Sequence, residues 1–399
     1  MDQLDQPNFE HNLQNIPEEV FFYICSYLDS KRSLSTLSDV CESFHELLNN
    51  DFYWRTRIGG RWLPSQEGMD VDWREACSCI EEESAYLRDP PTLVNVQKFD
   101  AHSMDIHAIH ILKGGKVCLS GSRENDIAVW TIDNGDPLRD ENPLCVRPGA
   151  HSGWVWRITS NSPEQIYSGS FDYSVKQWSL TPSELVEVSC FKCDKAVMSL
   201  QLLPEHHLLA AGLVRGIHFL DDRLQGDRPV HILAPDLNNQ LAMTTINPNV
   251  LVSTGLKRCL TFCDVRNLKE TWSSDFAICP SPGHPQSIVR HLGHLYVSDT
   301  EGSLHMIDVS KNTPELLENL LALNASYTTL VTGSSTGTIR FWRHTRPPPE
   351  SEKLHRPLKM VGMLQPDQDE LGAMHFRDGV LAASFAKNIC LNWWLPDNV

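Results

Sequence analysis

Over most of the chain, apolar and polar residues alternate with period two, in short runs set apart by turn residues. Residues 168–178 read SGSFDYSVKQW: a small-residue strand end, a tight turn, and an alternating strand closed by a bulky side chain. The same frame recurs at 120–130, SGSRENDIAVW, and at 332–342, TGSSTGTIRFW. Weaker copies lie at 210–221, 253–264, 297–308 and 382–394. The residues closing the second strand are Trp130, Trp178, Leu220, Cys263, Ile307, Trp342 and Trp393. They stand 35 to 51 residues apart, which suits one four-stranded unit per copy. The first 90 residues carry no such frame and read as helices. Val20, Ile24 and Leu28 form one apolar stripe, Leu34 and Leu37 follow, and Val40, Phe44 and Leu47 or Leu48 form another, with Ser38 or Asp39 as its cap. Pro17 fits a first turn, and Glu18 and Glu19 suit its positive end.

Two copies begin with a histidine, in Ala101-His102 and Ala150-His151. With these residues the repeat resembles the WD40-repeat β-propellers over roughly 93–395. The resemblance implies a mainly β fold: a propeller of about seven blades over 93–399, preceded by a small all-α module and a helical linker. It also gives His102, Ser120 and Trp130, and His151, Ser168, Asp172 and Trp178, a structural role as hydrogen-bonded networks that lock their blades. Glu124 stands where Asp is expected, so the first network should be altered. The last copy ends its third strand at Trp394, five residues before the sequence stops. The alternating segment 93–99 should therefore supply the outer strand of the last blade and remove an open edge. Residues 133–149 and 345–357 read as insertions, with 358–364 as a strand after the second.

Residues 16–55 run Ile-Pro-x-Glu-Val, Ile, Tyr-Leu-Asp, Val-Cys-x-x-Phe, Trp-Arg. This order resembles an F-box, with Ile16 in place of the usual Leu. The segments are then 1–14, a flexible amino terminus; 15–58, the F-box; 59–92, a helical linker; and 93–399, the propeller. In that family the Leu-Pro pair and the apolar positions after it dock onto the SKP-type adaptor of a cullin–RING ubiquitin ligase. Carried over by motif, the adaptor-binding candidates are Ile16, Pro17, Val20, Ile24, Leu28, Val40, Cys41 and Phe44. The sequence does not say which face the adaptor and which fill the module's own core. Within 59–92, Trp73, Cys77, Ile80, Ser84 and Leu87 have helical spacing. Glu81, Glu82 and Glu83 read as a solvated face, and Pro90-Pro91 as the stop.

Composition narrows the function. Lys and Arg total 34 against 51 Asp and Glu, a formal charge of −17, which argues against a nucleic-acid partner. No apolar run approaches the roughly 18 residues of a membrane helix, and the amino terminus lacks a signal-peptide pattern, so a cytoplasmic or nuclear location is expected. The 12 cysteines are scattered, and Cys190-x-x-Cys193 has no second pair at zinc spacing. No cofactor and no metal are expected.

No phosphate loop, HExxH helix or nucleophile elbow is present, and the Ser168–His151–Asp172 grouping belongs to the blade network rather than to catalysis. An F-box before a WD40 propeller implies a non-catalytic substrate-recognition subunit of an SKP–cullin–F-box ubiquitin ligase, with cullin and RING subunits reached through the adaptor. An unidentified target protein would sit on the propeller. Its candidate contacts are His107, Arg123, Trp156, Phe171, Tyr173, Arg215, Lys257 and Arg258, from the first strands and the turns between second and third strands. Aligned on Val155, the positions after it are Trp156, His107, Met198 and Val289, none an arginine, which speaks against a phosphate pocket there. Three alternatives stand: a scaffold without a ligase role, a propeller enzyme, and an adaptor for a different cullin ligase. Asp221-Asp222-Arg223 and Asp264-Val265-Arg266 resemble the blade endings used by that last class.

Overall fold

A computed structural model of the chain describes residues 16–30, 33–58, 72–86, 96–100, 102–132, 143–221, 223, 228–233, 240–256, 259–275, 283–291, 294–308, 313–318, 322–325, 329–344, 358–377 and 380–393. These form two compact units, one of helices and one of strands.

The helical unit holds α1 (Glu18–Cys25), α2 (Ser33–Ser38), α3 (Glu42–Leu48), α4 (Asp51–Ile58) and α5 (Trp73–Tyr86). None is longer than 14 residues, so packing and not propensity must hold them. The core draws on all five: Phe21 and Cys25, Leu34, Phe44 and Leu48, Tyr53, Trp54 and Ile58, then Ala76, Cys77 and Ile80. The Phe21 and Phe44 rings stack at 4.7 Å, and the buried Trp54 indole donates to the Leu48 carbonyl at 2.6 Å.

Several helical expectations change. Helix α1 ends at Cys25, so Leu28 lies beyond it, half-buried against the core. Its inward stripe is Phe21 and Cys25. Cys41, not Ser38 or Asp39, stands at the N-cap of α3, without a side-chain cap bond, and Val40 falls outside that helix. Ser38 instead faces the His45 ring at 3.2 Å. Glu81 is no solvated residue: it pairs with Arg57 and accepts the Ser30 amide. The side chains of Glu82 and Glu83 lie outside the described residues.

The strand unit contains seven four-stranded antiparallel sheets. Each innermost strand touches that of the next sheet, and the seventh touches the first, closing the ring of a seven-bladed β-propeller. The innermost strands are Ile106–Ile111, Val155–Ser162, Val197–Leu203, Gln240–Asn247, Pro285–His291, Ala322–Ala325 and Leu371–Arg377, in blades one to seven. Blade seven takes Val96–Asp100 as its outermost strand, paired with Asn388–Trp393 in the register Val96↔Asn392 to Asp100↔Asn388. Of the segment 93–99 expected to clasp the ring, residues 96–99 do so, and 93–95 lie outside the described residues. Across the seam, Ile106 N–H donates to the Ala386 carbonyl at 2.9 Å and Ser384 Oγ to the Ile106 carbonyl at 3.1 Å. Part of the first expected insertion is the outer strand of blade one, Cys145–Arg147. The strand after the second insertion is Leu358–Leu364, and 345–357 itself lies outside the described residues.

The small-residue frame has a steric cause. A Cβ on Gly121 would lie 2.5 Å from Val155 Cγ1 of the next blade, and one on Gly169 would lie 2.5 Å from Val197 Cγ1. Glycine lets neighbouring blades close on each other. Gly169→Val should cost about 1–3 kcal/mol, read by thermal unfolding, and adding Val197→Ala should recover part of it through relief of the same clash.

Candidate functional site

On the helical unit, the candidate adaptor residues divide by burial. Phe44 is core. Ile16, Leu28 and Cys41 are half-buried and pack on that core. Pro17, Val20, Ile24 and Val40 face solvent. Val20, Tyr23 and Ile24 of α1 and Tyr27 in the turn just beyond it follow i, i+3, i+4, i+7 spacing away from Phe21 and Cys25, each at least 42% exposed. Tyr23 and Tyr27 share a 2.7 Å hydroxyl hydrogen bond and a T-shaped ring contact at 5.2 Å. Neither tyrosine was among the adaptor candidates, although Tyr27 opens the motif's Tyr-Leu-Asp; their spacing from Val20 was the available signal. An apolar stripe left outside a filled core is a candidate docking surface.

Behind this face sits a polar clasp. Arg57 donates from Nε to Glu81 Oε1 at 2.7 Å, from Nη1 to the Cys25 carbonyl at 2.5 Å and the Tyr53 hydroxyl at 3.0 Å, and from Nη2 to the Leu28 carbonyl at 2.5 Å. It thereby satisfies carbonyls at and just beyond the end of α1 and ties them to α4 and α5. Burial opposes the charges, but the pairing wins: the Glu81 carboxyl is held below the usual range, and burial pushes the Tyr53 phenol up to about 12.

On the propeller, four of the candidate target contacts come together across blades one and two. The His107 and Trp156 rings stack at 4.5 Å, and Trp156 meets Phe171 at 5.1 Å. Trp154, missed in the sequence, meets Phe171 at 5.3 Å and lies under the Arg123 guanidinium at 4.7 Å. Arg123 also donates from Nε to His107 Nε2 at 2.7 Å and pairs with Asp105 at 3.2 Å. Burial and the Arg123 charge hold His107 down to about 4, so it is the neutral acceptor of that bond near pH 7. The result is a rigid aromatic ledge with Trp154 39% exposed.

Tyr173 projects from the next turn, 51% exposed, with φ +67°. Blade six has Gly337 at the same repeat position, φ +74°, so the tyrosine occupies backbone that favours glycine. Arg215 is exposed at the blade-three turn, and no contact joins it to the ledge among the described residues. Lys257 and Arg258 lie outside those residues. Strand register also corrects one alignment: Pro285, not Ile288, is the equivalent of Val155, so Gln286 replaces Val289 in the series with Trp156.

The two blade networks are present as bonds. In blade two, His151 joins Asp172 at 2.9 Å and Ser168 at 2.6 Å, and the Trp178 indole donates to Ser168 at 2.7 Å. Ser168 is wholly buried, so no substrate reaches its hydroxyl. In blade one, His102 joins Ser120 at 2.8 Å, the Trp130 indole donates to Ser120 at 2.9 Å, and Glu124 reaches His102 at 2.5 Å. The expected alteration is slight: Glu124 does the work of Asp172 and adds a bond to the Ser103 hydroxyl. Blade five locks differently, with the fully buried His305 on Asp299 at 2.8 Å, a pair unmarked in the sequence frame.

Comparison with known proteins follows the same division. The F-box-like family profile matches residues 13–58, and the WD domain, G-beta repeat profile matches 143–179, which includes the complete blade-two network. F-box/WD repeat-containing protein 9 of Homo sapiens is 26% identical over 361 residues, covering 85% of this chain and 75% of that protein. The Bos taurus protein of that name is 25% identical over 357 residues, covering 84% and 75%. F-box/WD repeat-containing protein mec-15 of Caenorhabditis elegans is 27% identical over 183 residues, covering 42% and 44%.

The chain is similar to F-box/WD repeat-containing proteins over most of its length, with an F-box-like and a WD-repeat match. Proteins of that architecture are in general non-catalytic adaptors. In this chain the aspartate–arginine blade endings close on themselves: Arg223 forks onto Asp221 at 3.0 and 2.8 Å, and Arg266 onto Asp264 at 3.0 and 2.7 Å.

The WD40 seam between blades seven and one carries a pH liability. His110 and His375 lie 4.7 Å apart, His110 bonds Ser160 at 2.7 Å, and His375 Nδ1 accepts the Ile111 amide at 3.0 Å. Burial first, then neighbouring positive charge, lowers both, His375 to about 3. The unfolded chain would take up these protons near pH 6.5, so stability present above that pH is lost as pH falls toward 3. Thermal midpoints should drop by several degrees from pH 7 to 4.5, less so in His375→Gln.

Proposed function

We propose that this protein is the substrate-recognition subunit of an SKP–cullin–F-box ubiquitin ligase. Its F-box docks through the outer face of α1 onto an SKP-type adaptor, and through it onto cullin and RING subunits. Its propeller holds a target protein on the aromatic ledge, and ubiquitin is transferred by a separate conjugating enzyme. Catalysis here is proximity: tethering raises the local concentration of a target lysine near the charged enzyme. The observation that carries the reading is the unpartnered stripe Val20, Tyr23, Ile24 and Tyr27 outside a filled core, in the segment the F-box profile matches. We place the protein in the cytoplasm or nucleus, where its described cysteines stay as free thiols.

The test is co-purification of the intact chain with an SKP-type adaptor and, in the same preparation, ubiquitination of captured proteins after cullin and RING subunits are added. Failure to bind the adaptor rejects the ligase role. For the ledge, Trp156→Ala with Tyr173→Ala should release captured targets while leaving adaptor binding intact; unchanged capture removes the ledge from the target site.

A further inference from the structure

The aromatic ledge is held still before anything binds it. The Phe171 amide donates to the Trp154 carbonyl at 3.0 Å, and Ser170 Oγ donates to the Gly153 carbonyl at 3.0 Å. A Cβ on Gly153 would lie 2.8 Å from the Asp172 nitrogen, so glycine lets the two loops meet. Asp172 is itself fixed by His151 at 2.9 Å and Ser174 at 2.6 Å. On this base the Phe171 ring is tilted 46° to the Trp154 indole and 59° to the Trp156 indole.

The hydrogen-bonding side chains of the ledge are one-sided. Its acceptors are used: Asp105 pairs with Arg123 at 3.2 Å, and His107 Nε2 takes the Arg123 Nε–H at 2.7 Å. Its donors are not. The Trp154 and Trp156 indole N–H groups make no hydrogen bond among the described residues, and neither does the Tyr173 hydroxyl, two residues on from Phe171. A ligand that fits must bring acceptors and few N–H groups. Proline does both, since it has a carbonyl and no N–H. An ordinary extended strand would bring N–H groups for which the ledge has no free side-chain acceptor. A cationic anchor is disfavoured because Arg123 already lies over Trp154 at 4.7 Å, and an acidic one because that guanidinium already has its carboxylate. A polyproline II segment is also ordered in advance, so ledge and ligand alike lose little freedom on binding.

We propose that the ledge recognises a proline-rich segment in the polyproline II conformation: its pyrrolidine rings lie on Trp154, Trp156 and Phe171, and its carbonyls accept from the two indole N–H groups. This rests on the reading of the ledge as the target site and names the class of target.

A displayed library of random twelve-residue peptides, selected on the intact chain, tests this. Enriched peptides should carry two or more prolines within about six residues. Their affinity should fall about tenfold in Trp154→Ala and in Trp156→Ala, and about threefold in Trp156→Phe, which keeps a ring and loses the N–H. It should change little with salt, because no ion pair holds the ligand. Unchanged thermal midpoints show that the variants fold, and Trp154→Ala, at the more exposed residue, carries the test if Trp156→Ala does not. Enriched peptides that need Trp154 or Trp156 but are poor in proline overturn this inference and leave the ledge as target site. Peptides indifferent to all three substitutions, or no enrichment at all, overturn both.

Discussion

Val20→Asp combined with Ile24→Asp should weaken adaptor binding by about 100-fold, because two apolar contacts are lost and two carboxylates must be desolvated at an interface. Both side chains are over 40% exposed and neither belongs to the helical core, so the folded unit should survive. Circular dichroism and thermal unfolding check the fold, and titration calorimetry with the purified adaptor checks the affinity. Phe44→Ala gives the contrast. Its ring is buried and stacked on Phe21, so it should lower stability by about 3–5 kcal/mol and affect binding only through the fold. If the double variant binds the adaptor normally, α1 is not the docking face. Tyr23 and Tyr27 extend the same surface, and Tyr27→Ala should give a smaller loss than the charged pair.

Arg57→Leu should destabilise the helical unit by about 3 kcal/mol. The substitution leaves the Cys25 and Leu28 carbonyls without their donor and strips the counter-charge from Glu81. Part exposure of Glu81 keeps the loss below that of a fully buried pair. Arg57→Lys should rescue little, since one ammonium cannot span the four acceptors that the planar fork reaches. Hydrogen exchange at the amides of α1 and α4 is the direct readout: both should exchange faster in Arg57→Leu and stay protected in the Val20 and Ile24 variant. Adaptor binding would weaken in both cases, but only the first through a loosened helix. Normal protection in Arg57→Leu would show that aromatic packing alone holds the unit.

Most of the propeller was legible in the chain because its constraints are local. Each copy must turn tightly, so Asn125 and Gly337 stand at the left-handed turn positions. Each blade must accept its neighbour closely, so Gly121 and Gly169 end the second strands. The His–Ser–Trp series reads at fixed offsets because one hairpin carries most of it. The Val96–Asp100 clasp was legible too, from alternation and position. Val289 was misaligned because a one-residue bulge near the start of six of the seven described inner strands, and weak sequence there, hide the register.

The helical unit was less legible. Its helices are so short that apolar spacing fits more than one face, and Val20 and Ile24 looked as inward as Phe21 and Cys25. Helix α5 decides the matter by covering one side, with Ala76, Cys77 and Ile80 in the core and Glu81 on Arg57. None of that follows from a run of three glutamates.

The sequence by itself determined the order of modules, the repeat and its strand ends, and the residues that lock blades one and two, because those depend on neighbours within a hairpin. Only the tertiary structure decided which apolar residues of α1 remain for a partner. It alone joined His107, Arg123, Trp154, Trp156 and Phe171 into one ledge. Those properties belong to surfaces shared between helices or between blades, and a linear pattern cannot state which side chains meet across such a boundary.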